Sequence, residues 1–174
     1  MEISSLNNLL MCAFFLFIII MFHVEHGKSS RFMNVEFFKK TIELAEKACF
    51  ENEVPVGAVV VKDNKIIGCG YNKKEQTKDP TMHAEFIAIR EACNFIGDWR
   101  LDDCDLYVTL KPCMMCCGLV VETRIRNVYY ILDKHEQSYD NKHHILQDFT
   151  LKKYYLNLLQ KFFKKLRNKW FFVL

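Results

Sequence analysis

From Asn34 onward the chain switches between two hydrophobic periods, and the switches mark out its elements. Phe37, Phe38, Ile42, Ala45 and Cys49 recur at helical spacing with charges between them, and Asn34 stands where an N-cap belongs. Pro55 to Lys62 is a nearly continuous apolar run that reads as a buried strand. Asp63-Asn64-Lys65 is a turn, and Lys65 to Tyr71 is its hairpin partner. Asn72 to Pro80 is a polar loop. Thr81 is placed to cap a helix from Met82 to about Phe95 that turns Ile87, Ala88 and Ala92 inward. Asp105 to Leu110 is the next strand, and Pro112 takes the favoured first position of the helix after it. Arg126 to Leu132 and His143 to Gln147 supply two more strands, and a long helix runs from about Thr150 to Asn168. Strands feeding helices in this order predict an α/β fold, a three-layer α/β/α sandwich around a five-stranded mixed sheet.

Composition changes this picture little. A chain of 174 residues, 51% hydrophobic, is one ordinary domain with enough apolar material for a core. A net charge of +3 specifies no partner by itself. Of the eight cysteines, six (Cys12, Cys49, Cys69, Cys93, Cys104 and Cys117) are scattered through apolar or helical surroundings, where a reduced thiol acts as a small hydrophobe. That distribution fits a reducing, cytoplasmic compartment better than a disulfide framework.

One stretch stands apart. Leu9 to Phe22 is an uninterrupted apolar run, short for a transmembrane helix and without the basic start or small-residue cleavage site of a signal peptide. We expect residues 1–32 to be an apolar N-terminal extension and 33–174 to be the folded domain, with no membrane association. If the run did insert, Lys28, Arg31, Lys39 and Lys40 would hold that domain on the cytoplasmic side. A second reading stays open beside this one. Met21-Phe22-His23-Val24-Glu25-His26 back-translates to a perfect inverted repeat resembling a bacterial chromosome-partitioning site. The first thirty or so residues would then be translated upstream DNA, with Met33 the start. The mass of the native N-terminus separates the two.

The chemistry sits in two short strings, Thr81-Met82-His83-Ala84-Glu85 and Lys111-Pro112-Cys113-Met114-Met115-Cys116. Each alone is weak. His-x-Glu is common on helix surfaces, and a single Cys-x-x-Cys serves equally as half a structural zinc site or as a redox pair. A structural site wants a second close cysteine pair, however, and Cys93 and Cys104 stand apart. A redox pair wants a thioredoxin-like context, which is missing. Together the strings offer an imidazole, two thiols and a carboxylate. Catalytic zinc takes three protein ligands and leaves its fourth position to water, so His83, Cys113 and Cys116 complete the set and Glu85 is left to handle protons. By spacing alone Cys117, four after Cys113, competes as a ligand.

His83-Ala84-Glu85 followed by Pro112-Cys113-x-x-Cys116 resembles the signature of the zinc-dependent nucleobase deaminases. The longer strings Glu53-Val54-Pro55-Val56-Gly57-Ala58-Val59, Asp79-Pro80-Thr81-Met82-His83 and Leu106-Tyr107-Val108-Thr109-Leu110 are similar to the tRNA-specific adenosine deaminase branch. The resemblance runs from about Phe37 to about Lys169. It implies a five-stranded sheet between helices, one Zn2+ per subunit on His83, Cys113 and Cys116, and Glu85 as catalytic proton shuttle. It implies hydrolysis of adenosine to inosine at the wobble position, with the tRNA anticodon loop as partner and a homodimer as the assembly. Among substrate contacts it points to Asn72, Val56, Ala84 and Phe163, and it makes Gly57 a wall of the base pocket rather than a strand bulge. Two other readings remain: a free-base or nucleoside deaminase acting on cytosine or guanine, and an inactive deaminase-like or structural zinc protein.

The chain departs from the family in two places. Lys111 replaces the usual glutamate and is expected to point away from a dicationic metal. The segment from Asp133 to Lys142, with His135, Gln137 and Asn141, is shorter than the loop that helps hold RNA and partner subunit in the family. After Asp148 no acid follows, while Lys152, Lys153, Lys161, Lys164, Lys165, Arg167 and Lys169 accumulate around an apolar stripe of Leu151, Tyr155, Leu158, Phe162 and Leu166. Beside a deaminating pocket that basic face is suited to phosphates, and Phe163, off the stripe, is free to stack on a base.

Overall fold

The computed structural model describes residues 34–133, 143–146 and 148–171. The N-terminal extension, the 134–142 segment with His135, Gln137 and Asn141, and the side chain of Lys169 lie outside the described residues. Asn34 caps the first helix, its side chain accepting from the Glu36 N–H at 2.9 Å. That helix, α1, spans Val35–Phe50 and buries Phe37, Phe38, Thr41, Ile42, Ala45 and Ala48. The next strand begins at Gly57, two residues later than expected, as β1 (Gly57–Lys62); β2 (Lys65–Tyr71) returns antiparallel to it. The 72–80 segment is not wholly loop, because a short helical turn, α2 (Lys74–Thr77), interrupts it. There follow α3 (Ala84–Ile96), β3 (Asp105–Leu110), α4 (Met114–Glu122), β4 (Asn127–Leu132), β5 (His143–Ile145) and α5 (Phe149–Phe171).

The strands form one mixed sheet in the order β2-β1-β3-β4-β5. β1 runs antiparallel to β2 and β3, whereas β3, β4 and β5 are mutually parallel. The parallel pairing of β3 and β4 requires a crossover, and α4 supplies it. Helices α1 and α5 cover one face of the sheet, and α3 with α4 covers the other. On the first face an aromatic row crosses the strands: Phe37 and Phe38 meet Tyr107 edge-on, Tyr107 stacks on Tyr129, and Tyr129 stacks on His144. Phe38, Val59, Val60, Leu106 and Val108 are fully enclosed, each contributing roughly 1.5–3 kcal/mol of transfer free energy.

Gly57 and Gly70 set how closely helices lie on this sheet. A Cβ on Gly57 would stand 2.1 Å from the Thr41 carbonyl of α1, and one on Gly70 would stand 2.1 Å from the Ala84 carbonyl of α3. Gly57 is therefore neither a bulge nor a wall of the pocket, as the sequence led us to expect; it is where a strand touches helix backbone. The irregularity in β1 falls instead between Val60 and Val61. Gly70 matters more for chemistry, because the helix it admits begins one residue after His83. Among the described residues no helix is long and apolar enough to cross a membrane.

Candidate metal centre and active site

Both halves of the chemical signature end up at helix starts, though not where the sequence placed them. Thr81 does not cap α3; its hydroxyl donates to Asp79 Oδ1 at 2.7 Å, and the helix starts later. His83 itself is the N-cap, in extended backbone (φ −82°, ψ 155°). Pro112 does not open α4 either. Its neighbour Cys113 is the N-cap, again extended (φ −74°, ψ 172°). Two helix N-termini thus converge, and their dipoles favour negative charge on Glu85 in the first turn of one and on the Cys113 thiol at the N-cap of the other.

The three donor atoms are arranged for an ion. His83 Nδ1 lies 3.6 Å from both Cys113 Sγ and Cys116 Sγ, and the two sulfurs are 3.7 Å apart. Tetrahedral zinc, with bonds of about 2.3 Å to sulfur and about 2.0–2.1 Å to nitrogen, requires roughly 3.8 Å between sulfurs and roughly 3.6 Å between sulfur and nitrogen. The residues fit the metal. Among the described residues these three form the group of side chains that could hold a metal ion. Cys117 is outside it, its buried thiol turned to the Pro112 carbonyl at 3.6 Å. The contact from Cys116, and after it that from His83, holds Cys113 down to about 3, while the same contact and burial push Cys116 up.

A cavity of about 170 Å³ opens over this group, lined by His83, Glu85 and Cys113 together with Val56, Asn72, Lys111 and others. Glu85 is 4% exposed, so its carboxylate faces the cavity rather than bulk water. Asn72 Oδ1 accepts the Ala84 N–H at 2.9 Å, which satisfies the first amide of α3 and leaves the Nδ2 hydrogens as the amide's remaining donors. The structure therefore brings together His83, Cys113, Cys116, Glu85, Asn72 and Val56. Ala84 is fully buried beneath them and does not line the cavity. Phe163 lies on α5, exposed and edge-on to buried Phe162, away from the lining.

Residues 32–167 match the family described as MafB19-like deaminase. Over 148 residues the chain is 43% identical to the tRNA-specific adenosine deaminase of Aquifex aeolicus (strain VF5), covering 78% of this chain and 98% of that one. The chain belongs to the tRNA-specific adenosine deaminase family. It is also 47% identical over 94 residues to the chloroplastic tRNA(adenine(34)) deaminase of Arabidopsis thaliana, a match spanning 7% of that much longer protein. Among solved structures it resembles a chain from studies of A-to-I editing by tRNA:A34 deaminases (31% identity, TM-score 0.59, 64% of this chain and 98% of that one). It likewise resembles a guanine deaminase from Bacillus subtilis (43% identity, TM-score 0.55, 58% of this chain and 66% of that one).

Two lining residues of this deaminase escaped the sequence reading. Glu53 is 1% exposed, and its two oxygens accept the Glu75 N–H at 3.1 Å and the Gln76 N–H at 2.7 Å. It pins α2, whose Lys74 and Glu75 form the cavity rim. The one available signal was an acid placed directly before the apolar Val54-Pro55-Val56. Lys111 is the other. It does not point outward: it is 6% exposed, lines the cavity, and pairs with Asp133 at 3.1 Å.

Proposed function

We propose that this deaminase hydrolyses adenosine to inosine at the wobble position of tRNA, using one zinc ion per subunit on His83 Nδ1, Cys113 and Cys116. The observation that carries the reading is the His83–Cys113–Cys116 triad at zinc spacing with the Glu85 carboxylate enclosed beside it. Zinc in such a three-ligand site supplies the Lewis acidity that lets water ionise near neutral pH. Glu85 accepts a proton from the attacking water and delivers it to N1 of the base. It then carries the second proton to the departing amine, so that C6 gains oxygen and ammonia leaves. Asn72 Nδ2 offers the substrate a donor, and Val56 offers an apolar wall. Ala84 acts through its N–H, which holds the Asn72 amide in place.

A paired or stacked adenine hides C6, so the base must leave its stack, and an anticodon loop makes that extrusion cheaper. The basic face of α5 is suited to the flanking phosphates, with Phe163 stacking on a neighbouring base at about 1–3 kcal/mol. A homodimer is supported by the exposed apolar surface of α4, where Met114 and Val121 are 67% and 57% exposed. Free thiols at Cys49, Cys69, Cys93 and Cys104 support a reducing, cytoplasmic setting.

The Bacillus subtilis likeness keeps a free-base guanine deaminase as the second reading. Inosine formation on an anticodon stem-loop, assayed beside free guanine and cytosine, separates them. We expect inosine on the RNA only; turnover of free guanine with inert RNA would install the second reading. Glu85→Ala should retain zinc and lose turnover by at least about 10²–10⁴-fold.

A further inference from the structure

The Lys111–Asp133 pair joins an enclosed ammonium to a half-buried carboxylate, and the proton chemistry does not use it. Lys111 links β3 to the turn carrying Cys113, and it is fastened to the end of β4 twice. Its N–H donates to the Leu132 carbonyl at 2.9 Å, and its ammonium donates to both Asp133 oxygens at 3.1 and 3.3 Å. The Tyr130 hydroxyl adds a longer contact to the same carboxylate at 3.4 Å. The lysine side chain is 7% accessible and that of Asp133 32%, so the cation is the more deeply enclosed partner. An enclosed ammonium is costly to keep without opposite charge beside it, so the Asp133 carboxylate holds Lys111 in place. Both carboxylate oxygens are engaged, which favours a fastening over a landing point for an RNA phosphate.

We propose that Lys111 and Asp133 act as a positioning clamp for deamination. The pair sets the path of the Lys111-Pro112-Cys113 turn, so that Cys113 stands at ligand distance from His83, and what it requires is opposite charge across the two positions rather than lysine at 111. This rests on the metal-centre reading above.

The test compares Lys111→Met, Asp133→Asn and the exchanged pair Lys111→Glu/Asp133→Lys. Each is measured for zinc retention against a chelator, for thermal unfolding, and for kcat and KM on an anticodon stem-loop. Each single variant should weaken zinc retention by about tenfold. Displacement of the turn should lower kcat by about 10²-fold with a smaller change in KM. The exchanged pair should recover both. Singles matching the parent protein, or an exchanged pair that folds yet stays as impaired as the singles, would overturn the clamp; the latter with raised KM would point to the ammonium touching the RNA. Should Lys111→Met fail to fold, Asp133→Asn, which keeps the shape of the side chain, carries the comparison. If the parent protein leaves the RNA unchanged, the failure lies with the proposed substrate, and zinc retention still decides the clamp.

Discussion

At Asn72 the Oδ1 holds the first amide of α3, and Nδ2 is left for the substrate, so one side chain couples helix start to pocket. The two functions separate by substitution. Asn72→Asp keeps the acceptor, and its charge is favoured at a helix N-terminus, so stability should hold. Asn72→Ala should cost about 1 kcal/mol of stability, as loss of a helix cap does. Both should lower kcat/KM by about tenfold or more, the worth of one pocket hydrogen bond. Thermal melts beside kinetics check this, and an active Asn72→Asp enzyme would remove Nδ2 from the substrate. That His83, Cys113 and Cys116 come together was legible in the sequence, because a metal demands particular atoms at particular spacings whatever surrounds them. Lys111, Glu53 and Gly57 were not, because their roles depend on what lies opposite in space. The partners are the Asp133 carboxylate, the Glu75 and Gln76 amides, and the Thr41 carbonyl respectively.

Among the elements, the fold and all five strands followed from hydrophobic period, whereas the starts of α3 and α4 did not. Thr81 and Pro112 are good helix-starting residues locally, but the turns preceding each helix are held by tertiary bonds, at Asn72 for α3 and at Leu132 for Lys111. The last helix matched its stripe in part. Tyr155 and Phe162 are buried as expected, but Leu159 rather than Leu158 is the buried leucine between them. Tyr155 is further fixed by its hydroxyl, which donates to the Pro55 carbonyl at 2.9 Å, and burial raises its pKa. Lys161, Lys164, Lys165 and Arg167 remain exposed on the outer face of α5, with Lys165 reaching Asn52 at 3.1 Å. Replacing all four by neutral residues should weaken tRNA binding and reduce its salt dependence while zinc content is unchanged. An unaltered affinity and salt slope would mean that the face is only solvated surface.

For the molecule as a whole, the residues proposed to hold the metal lie on opposite sides of one connection. His83 and Glu85 belong to the β1–β2–α3 half, and Cys113 and Cys116 to the β3–α4–β4 half. The halves are joined covalently through residues 97–104 and laterally by the antiparallel pairing of β1 with β3, Ala58 opposite Val108. Gly97, Trp99 and Arg100 of the connection are exposed. A chain severed between Gly97 and Arg100 would therefore lose continuity without losing a ligand or a ladder bond. Expressed as two fragments, it should be inert apart and regain zinc binding and deamination on mixing, which atomic absorption and inosine release would register; fragments that never reconstitute would show that the connection itself shapes the centre. The enzyme is in this sense a two-piece lock, each piece blank until the other is seated.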